Sequence, residues 1–248
     1  GGKGKLKVIR EYSPSVDKPA LVELYRIINP EKSSVTVEIP SSLSVIETLR
    51  DEGVDGSYRL ATAVNRNGSY HLAGGDTLLF TGHIAAYKMN DHIEKIDGEV
   101  EKQKRVELIS FLKSNLVLET PNDTINRMFA FSKIRACESI FETKGGPLHG
   151  PGGESYYAAI WANDQAEYVN PYFPFVGYTY GNESALNSFM HFSRFMNEEW
   201  KPIPSSIIAE GLDIWNGAGD RGDAAMIAVH PAMHWQAVNR MKLINFGH

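Results

Sequence analysis

Aromatic rings, carboxylates and amides are concentrated in the segment from Gly145 to Gly181. Its rings belong to Tyr156, Tyr157, Trp161, Tyr168, Tyr172, Phe173 and Phe175. The polar side chains among them belong to His149, Asn163, Asp164, Gln165 and Glu167. A sugar stacks its C–H face on an aromatic ring while fixed donors and acceptors hold its hydroxyl groups, so this composition predicts a carbohydrate pocket. The alternative is a buried aromatic core with a few hydrogen-bonded polar groups.

A second segment, from Ile208 to Asp223, combines acidic residues with a tryptophan and an arginine. Glycosidic cleavage needs one carboxyl group that protonates the leaving oxygen and another that activates water or attacks the sugar. Asp220 lies beside Arg221 on a glycine-rich stretch, and Glu210 follows an apolar run in which burial would raise its pKa toward that of a general acid. We therefore predict Asp220 and Glu210 as the catalytic residues. Capping of a following helix is the alternative role for Asp220 and Asp223.

The other polar and aromatic residues of these two segments are predicted to hold the sugar. They are Trp161, Asp164, Gln165, Glu167, His149, Tyr156, Trp215, Arg221 and Asp223. The i, i+3 spacing of Trp161 and Asp164 would bring their side chains together on one helical turn. Both segments are long loops between predicted helices, and long loops in compact domains are commonly functional.

No metal or cofactor site is predicted. The glycines of GGPLHGPGG follow no strand and lead to no Lys-Ser/Thr pair, which argues against a phosphate-binding loop. His230 and His234 have the i, i+4 spacing of metal ligands, but no glutamate directly follows the first of them as in a zinc-protease helix. Core or surface histidines are therefore the favoured interpretation.

Charge and hydropathy restrict the partners further. The net charge is −5 and no basic block is present, which argues against nucleic-acid binding. No apolar run reaches the roughly 18 residues of a transmembrane helix, and the first residues lack the apolar stretch of a signal peptide. The one cysteine, Cys137, reads as a small buried side chain and does not indicate a compartment.

The hydrophobic period changes near residue 90. Before it, alternation such as Val35, Val37 and Ile39 predicts strands, and Asn67-Gly68 predicts a hairpin. We interpret residues 1–90 as an antiparallel β-sandwich, 91–120 as a helical linker, and 121–248 as a helical domain. The predicted helices run from Asp91 to Ser114, from an N-cap at Asp123 to about Glu142, from Ser184 to Trp200, and from Ala224 onward with a break at Pro231.

Three stretches resemble the six-hairpin glycosidase superfamily. They read TPNDTINRMFAFSKIRACESIFETKGG, GPGGESYYAAIWANDQAEYVNPYFPFVGY and SSIIAEGLDIWNGAGDRGDAAMIA. The likeness is strongest to predicted glycoside hydrolases of Bacteroides type, which join an N-terminal β-sandwich to a C-terminal (α/α)6 toroid of helical hairpins. The segment Trp161-Ala162-Asn163-Asp164 is similar to the Trp-x-Arg-Asp segment of several such enzymes, in which the aspartate binds sugar hydroxyls. Asn163 replaces the arginine, which weakens that half of the match.

The resemblance implies a multidomain β + α protein: an antiparallel β-sandwich followed by an incomplete toroid. A complete toroid of twelve helices needs roughly 350 residues, and only about 130 follow Leu118. The resemblance therefore leaves open whether the family's second catalytic carboxylate, or both of them, belongs to residues that this sequence does not contain. In a toroid the long Gly- and Trp-rich loops collect at one end, so we expect the loop from Glu210 to Asp223 to face the Asp164 loop and one of its carboxylates to do chemistry or hold the sugar.

The functional hypothesis is a glycoside hydrolase, by family analogy inverting, that acts on an oligosaccharide or polysaccharide. The resemblance slightly favours a periplasmic or extracellular location. A non-catalytic carbohydrate-binding protein of the same fold is the second hypothesis. A polysaccharide lyase, with Tyr156 and His149 as its acid–base pair, is the third.

Overall fold

The computed structural model describes residues 5–52, 56–150, 159–208, 214–215 and 222–245. The chain divides into two compact units, Gly1–Ile109 and Ser110–His248. Each unit is described separately below.

The first unit is built from seven strands. They are β1 (Lys7–Pro14), β2 (Ala20–Ile28), β3 (Val35–Ile39), β4 (Leu43–Glu47), β5 (Tyr58–Val64), β6 (Gly68–Leu72) and β7 (Thr77–Lys88). Five of them form an antiparallel sheet in the order β1-β2-β7-β5-β4, and β3 pairs with β6 in a separate two-stranded ribbon. Helix α1 (Gly98–Ser114) follows the sheet.

The two faces of the five-stranded sheet carry separate apolar clusters. On one face the core consists of Val22, Ala61, Ala85, Tyr87 and Ile96. On the other, residues of the β3–β6 ribbon pack on Leu78 of the sheet through Ile39 and Leu72. Alternation along each strand, which puts successive side chains on opposite faces, produces this division.

Two predictions for the first unit are wrong. The predicted β-sandwich is replaced by one five-stranded sheet on which the described residues place only a two-stranded ribbon. The predicted hairpin at Asn67-Gly68 does not form, because β5 pairs with β4 and β7 along its two edges and β6 pairs with β3 instead. Both edges of β5 are therefore occupied before β6 begins.

The second unit alternates helices with short strands. Its elements are α2 (Asp123–Glu138), β8 (Ile140–Thr143), β9 (Gly146–His149), β10 (Ala159–Trp161), a π-helix (Asp164–Val169), α3 (Phe173–Val176), α4 (Thr179–Ser193), β11 (Ser206–Ile208), β12 (Ile214–Trp215) and α5 (Asp223–Asn245). Strands β8 and β9 form a hairpin, and β10, β11 and β12 form an antiparallel sheet in that order.

The predicted incomplete (α/α)6 toroid of helical hairpins is wrong. The described residues form a mixed α/β protein, and they contain no complete ring of helical hairpins. Strands interrupt the helical order directly after α2, where Gly146 adopts a φ of 92° and turns the chain into the β8–β9 hairpin. A glycine reaches that region without the steric cost that a side chain would bring.

The helix boundaries also differ from the predicted ones. Asn122, not Asp123, caps α2, since its side chain accepts hydrogen bonds from the backbone N–H groups of Thr124 and Ile125. Helix α5 continues through Pro231. A proline removes one intrahelical hydrogen bond, and α5 compensates by packing on α3 and α4. None of the described helices is both long and apolar enough to cross a membrane.

Candidate carbohydrate site

The β10–β11–β12 sheet contains strands from both segments that the sequence predicts to form the site, Gly145 to Gly181 and Ile208 to Asp223. In its register Trp161 pairs with Ser206, and Ser206 pairs with Trp215. The end of β10, the start of β11 and the end of β12 therefore lie at the same end of the sheet. From this end the chain continues into the π-helix that begins at Asp164.

The pair Ala159 and Ile208 lies at the opposite end of the same sheet. In the sequence, residue 156 comes shortly before Ala159, and residue 210 comes shortly after Ile208. Two residue steps separate the Ala159 pair from the Trp161 pair, which corresponds to about 7 Å at 3.3 Å per residue. Residues 209–213 and 216–221, which include Glu210 and Asp220, lie outside the described residues.

Asp164 is the first residue of the π-helix and is partly buried. Burial raises the pKa of its carboxyl group, and the nearby Glu167 carboxylate adds to that effect. Trp161 ends a strand, so Trp161 and Asp164 do not share the helical turn that their spacing predicted. They are instead joined by the short connection between β10 and the π-helix, and helices of the π type occur frequently at functional sites.

Gln165 and His149 come together in the interior. The Gln165 side chain is fully buried, and its Nε2 donates to the backbone oxygen of His149 over 2.8 Å. Burial lowers the pKa of His149 to about 4, so its ring is neutral at pH 7. The ring lies 6.0 Å from that of Phe173, centroid to centroid, in an edge-on arrangement. His149 therefore contributes a neutral imidazole, not a cation.

Helix α4 fixes the hairpin that carries His149. Asn187 donates through Nδ2 to the backbone oxygens of Gly145 and Pro147 at 2.7 and 3.1 Å. His191 Nε2 lies 2.8 Å from the same Gly145 oxygen. With three contacts to α4, the hairpin is a rigid support and not a free loop.

Several buried polar atoms of this unit have no hydrogen-bond partner among the residues that the structure describes. They are Nδ1 of His149, Oε1 of Gln165, and Oγ of Ser205 and Ser206. An unsatisfied buried polar atom costs about 1–3 kcal/mol, so a native structure normally supplies a water molecule or a ligand. The two serines were not predicted as site residues, because Pro204-Ser205-Ser206 carries no pattern that distinguishes it from an ordinary turn.

The remaining predicted residues are distributed as follows. Glu167 is exposed on the π-helix, and Asp223 is buried as the first residue of α5. Trp215 is described only through the register of β12. Tyr156, Glu210, Asp220 and Arg221 lie outside the described residues.

The histidine pair of α5 has ordinary partners. His234 is buried, and its Nδ1 lies 2.8 Å from the backbone oxygen of Asn170. His230 Nδ1 lies 2.7 Å from the backbone oxygen of Met226. In the part of the chain that the structure describes, no three His, Cys, Asp or Glu side chains form a group that could hold a metal ion.

Comparison with known proteins gives a fold match without a sequence match. No family model and no curated protein matches the chain. A solved structure described as "Putative kojibiose phosphorylase from human microbiome" matches 97% of this chain with a TM-score of 0.59 and 9% sequence identity. The chain spans 40% of the length of that structure. At this identity the likeness shows the fold alone: the chain folds like part of a protein described as a sugar phosphorylase.

The raised pKa of Asp164 predicts a pH-dependent cost in stability. Folding favours the neutral carboxyl, so the side chain's contribution is most favourable below its unfolded pKa, near 3.8, and is lost as pH rises through the folded value. We expect Asp164→Asn to raise the denaturant midpoint at neutral pH, and the gain to shrink as pH falls toward about 4. A gain that is constant over this range, or none at neutral pH, would contradict the assignment. Glu167→Gln, which removes the second cause of the shift, should reduce the pH dependence of the wild-type chain.

Proposed function

We propose that this chain belongs to an enzyme that cleaves a glycosidic bond of an oligosaccharide or polysaccharide, as an inverting glycoside hydrolase. The main support for the proposal is the environment of Asp164. Its carboxyl group is partly buried and has a raised pKa. Asp164 follows Trp161, the last residue of β10, by three residues. Carboxyl groups with a shifted pKa are common at functional sites, and aromatic rings are common in sites that bind sugars.

Two comparisons support the same reading. The fold is similar to part of a structure described as a kojibiose phosphorylase. The Trp161–Asp164 segment resembles that of six-hairpin glycosidases of Bacteroides type, and the proposal takes from that superfamily the motif and its chemistry, not the toroid. In that chemistry the aspartate corresponding to Asp164 binds hydroxyl groups of the sugar at the point of cleavage.

We assign the catalytic carboxylates to Asp220 and Glu210, with Asp220 preferred. In an inverting reaction one carboxyl group protonates the leaving oxygen, and the other removes a proton from the attacking water on the opposite face of the sugar. Their separation is about 6.5–9.5 Å. Asp220 follows Trp215 by five residues in the sequence, and both Trp215 and Trp161 belong to strands that pair at Ser206. The preference for Asp220 over Glu210 rests on its neighbours in the sequence, since it lies beside Arg221 on a glycine-rich stretch.

Phosphorolysis is the second candidate, and the description of the structural neighbour favours it. In that reaction a phosphate oxygen attacks the anomeric carbon in place of water, and the products are a sugar 1-phosphate and the released sugar. One carboxyl group that donates a proton then suffices. The two candidates are separated by whether inorganic phosphate is consumed.

The experiment compares wild type with Asp220→Asn, Glu210→Gln and Asp164→Ala on kojibiose and a panel of neutral oligosaccharides, with and without phosphate. Reducing ends report hydrolysis, and sugar 1-phosphate reports phosphorolysis. We expect Asp220→Asn to lower kcat about a hundredfold and Asp164→Ala to weaken sugar affinity by about 1–3 kcal/mol. The exposed Glu183, on α4, provides a matched control as Glu183→Gln.

Three outcomes would change the assignment. A loss below about fivefold in Asp220→Asn, with KM raised, makes Asp220 a binding residue. Unchanged sugar affinity in folded Asp164→Ala rejects its role. If calorimetry shows that the chain binds a sugar but neither reducing ends nor sugar 1-phosphate is formed, the chain is a carbohydrate-binding protein and not an enzyme.

A further inference from the structure

A groove of about 460 Å³ lies on the first unit, far along the chain from the residues discussed so far. It occupies the face of the five-stranded sheet that the β3–β6 ribbon partly covers. Its lining includes Glu23, Tyr25, Thr62, Phe80, Gly82 and Ile39. Its volume is within the range of pockets that hold small organic ligands.

One wall of the groove is a stack that crosses three strands. Arg10, Tyr25 and Phe80 occupy one register row of β1, β2 and β7. The rings of Tyr25 and Phe80 are parallel, with centroids 4.6 Å apart, and the Arg10 guanidinium lies 5.4 Å from the Tyr25 centroid. Rings and guanidinium on adjacent rigid strands make a preorganised wall.

The next row leaves a gap, because its β7 member is Gly82, between Glu23 of β2 and Val64 of β5. A Cβ at Gly82 would meet only ordinary contacts, the nearest being the Ala63 oxygen at 3.5 Å and Tyr25 Cε2 at 3.7 Å. Neither close packing nor a positive φ requires a glycine there. Glycine weakens a strand interior and commonly marks the close approach of another group, so the gap fits a ligand.

The polar groups beside this gap offer fixed donors and acceptors. Arg10 Nη2 donates to Glu23 Oε2 over 2.9 Å, and the Tyr25 hydroxyl donates to the same oxygen. Burial opposes ionisation of Glu23, but the hydrogen bonds from Tyr25 and Arg10 outweigh it and lower its pKa. A guanidinium has five N–H donors and a carboxylate about four lone-pair sites, so both groups keep capacity for a ligand.

We propose that this groove binds a neutral sugar unit of an oligosaccharide, apart from the site that contains Asp164. The paired Arg10 and Glu23 leave no single charge to attract an ion, and a charged ligand would meet one repulsive partner. The third charged residue of the lining, Glu38, is exposed to water, since it alternates in β3 with Val37 and Ile39, which pack inward. His83 pairs with Val22, so its side chain belongs to the opposite face of the sheet, and burial lowers its pKa.

A purely apolar ligand would cover Arg10 and Glu23 without replacing their water. A sugar ring fits the apolar and the polar parts of the lining. Its C–H groups can pack on Tyr25 and Ile39, and its hydroxyl groups can accept from Arg10 and donate to Glu23.

The test follows backbone amide shifts of β2 and β7 in the full chain by two-dimensional NMR during titration with maltotriose and cellotriose. Trigalacturonic acid and chitotriosamine serve as the anionic and cationic comparators. We expect the neutral sugars alone to shift these amides, and Gly82→Val, which fills the gap, to weaken binding at least about tenfold. Ser69→Val, on an exposed position of β6 outside the groove, is the matched control. Glu23→Gln keeps the shape but removes the charge, and should weaken binding about fivefold.

Asp164→Ala should leave groove binding unchanged, which separates this inference from the proposed function. The inference is overturned if neither neutral trisaccharide shifts the amides of β2 and β7, or if Gly82→Val and Ser69→Val bind equally. It is also overturned if the charged comparators bind as well as the neutral sugars. Thermal unfolding of each variant checks the fold, and valine in the strand is expected to preserve it.

Discussion

Gly181→Ala is expected to destabilise the second unit by about 3 kcal/mol, the upper range for overpacking a core. Gly181 lies in the first turn of α4 against α3. A Cβ there would stand 2.3 Å from Cδ1 and 2.6 Å from Cγ of Phe173, well inside contact distance. The Phe173 ring is fully buried, so it has no free space into which to move.

The same substitution should reach the candidate site. Helix α4 carries Asn187 and His191, which hold the hairpin of His149, and the ring of His149 contacts Phe173. A displacement of α4 from α3 would therefore shift the carbonyl to which Gln165 donates. Weaker sugar binding is therefore expected in Gly181→Ala.

The double mutant Gly181→Ala/Phe173→Ala tests this mechanism. Alanine at position 173 removes all three ring carbons that meet the added methyl group, Cγ, Cδ1 and Cε1, so the two changes together should cost less than their sum. Unfolding can be followed by tryptophan fluorescence, since Trp161, Trp200, Trp215 and Trp235 all belong to the second unit. A Gly181→Ala loss below about 1 kcal/mol, or strict additivity, would show that the helices accommodate the methyl group. Glu183→Ala, on the exposed side of α4, is the reference for helix propensity alone.

The parts of the fold that the sequence predicted are those governed by local period. Alternation identified the strands of the first ninety residues, and helical spacing identified α2 and α5. Pairing between strands was not predictable in the same way: Asn67-Gly68 has the composition of a hairpin, yet the neighbours of β5 were already fixed by β4 and β7. The toroid failed for a related reason, because the resemblance extended a helical order through segments that form β8–β12.

For the site, composition indicated the right kind of residue but not its geometry. Gln165 and His149 were predicted from the sequence as site residues. The hydrogen bond between them depends on a π-helix, which the hydrophobic periodicity of the sequence does not predict. The i, i+3 spacing of Trp161 and Asp164 predicted one shared helical turn, which does not form because Trp161 is the last residue of β10. Ser205 and Ser206 carry no local signal, since their burial comes from the pairing of β11 with β10. The roles of Asp220 and Glu210 stay predictions.

Lys133→Met should cost the second unit about 3 kcal/mol, the penalty for leaving three partly buried carbonyls without their donor. Lys133 lies on α2 with 1% of its surface exposed. Its Nζ donates to the backbone oxygens of Lys113, Asn115 and Leu116, where α1 ends. The last carbonyls of a helix lack intrahelical partners, and a cation placed there also favours the helix dipole. Burial lowers the pKa of Lys133, so folding pays to keep this ammonium inside.

That contact connects to the same scaffold as Gly181. Asn115, which Lys133 holds, donates through Nδ2 to the oxygen of Val176 at the end of α3, over 2.9 Å. Leu116 adopts a φ of 49°, a conformation that a leucine keeps only when its surroundings impose it. The effects of Lys133→Met and Asn115→Ala on stability should therefore be non-additive, since Lys133→Met already frees Asn115 and weakens its hydrogen bond to Val176. Arg127→Met, an exposed position on α2, removes a charge without a buried partner and should cost less than about 0.5 kcal/mol. If Lys133→Met costs no more than Arg127→Met, the carbonyls of the α1 end are satisfied by water, and the lysine does not anchor α3.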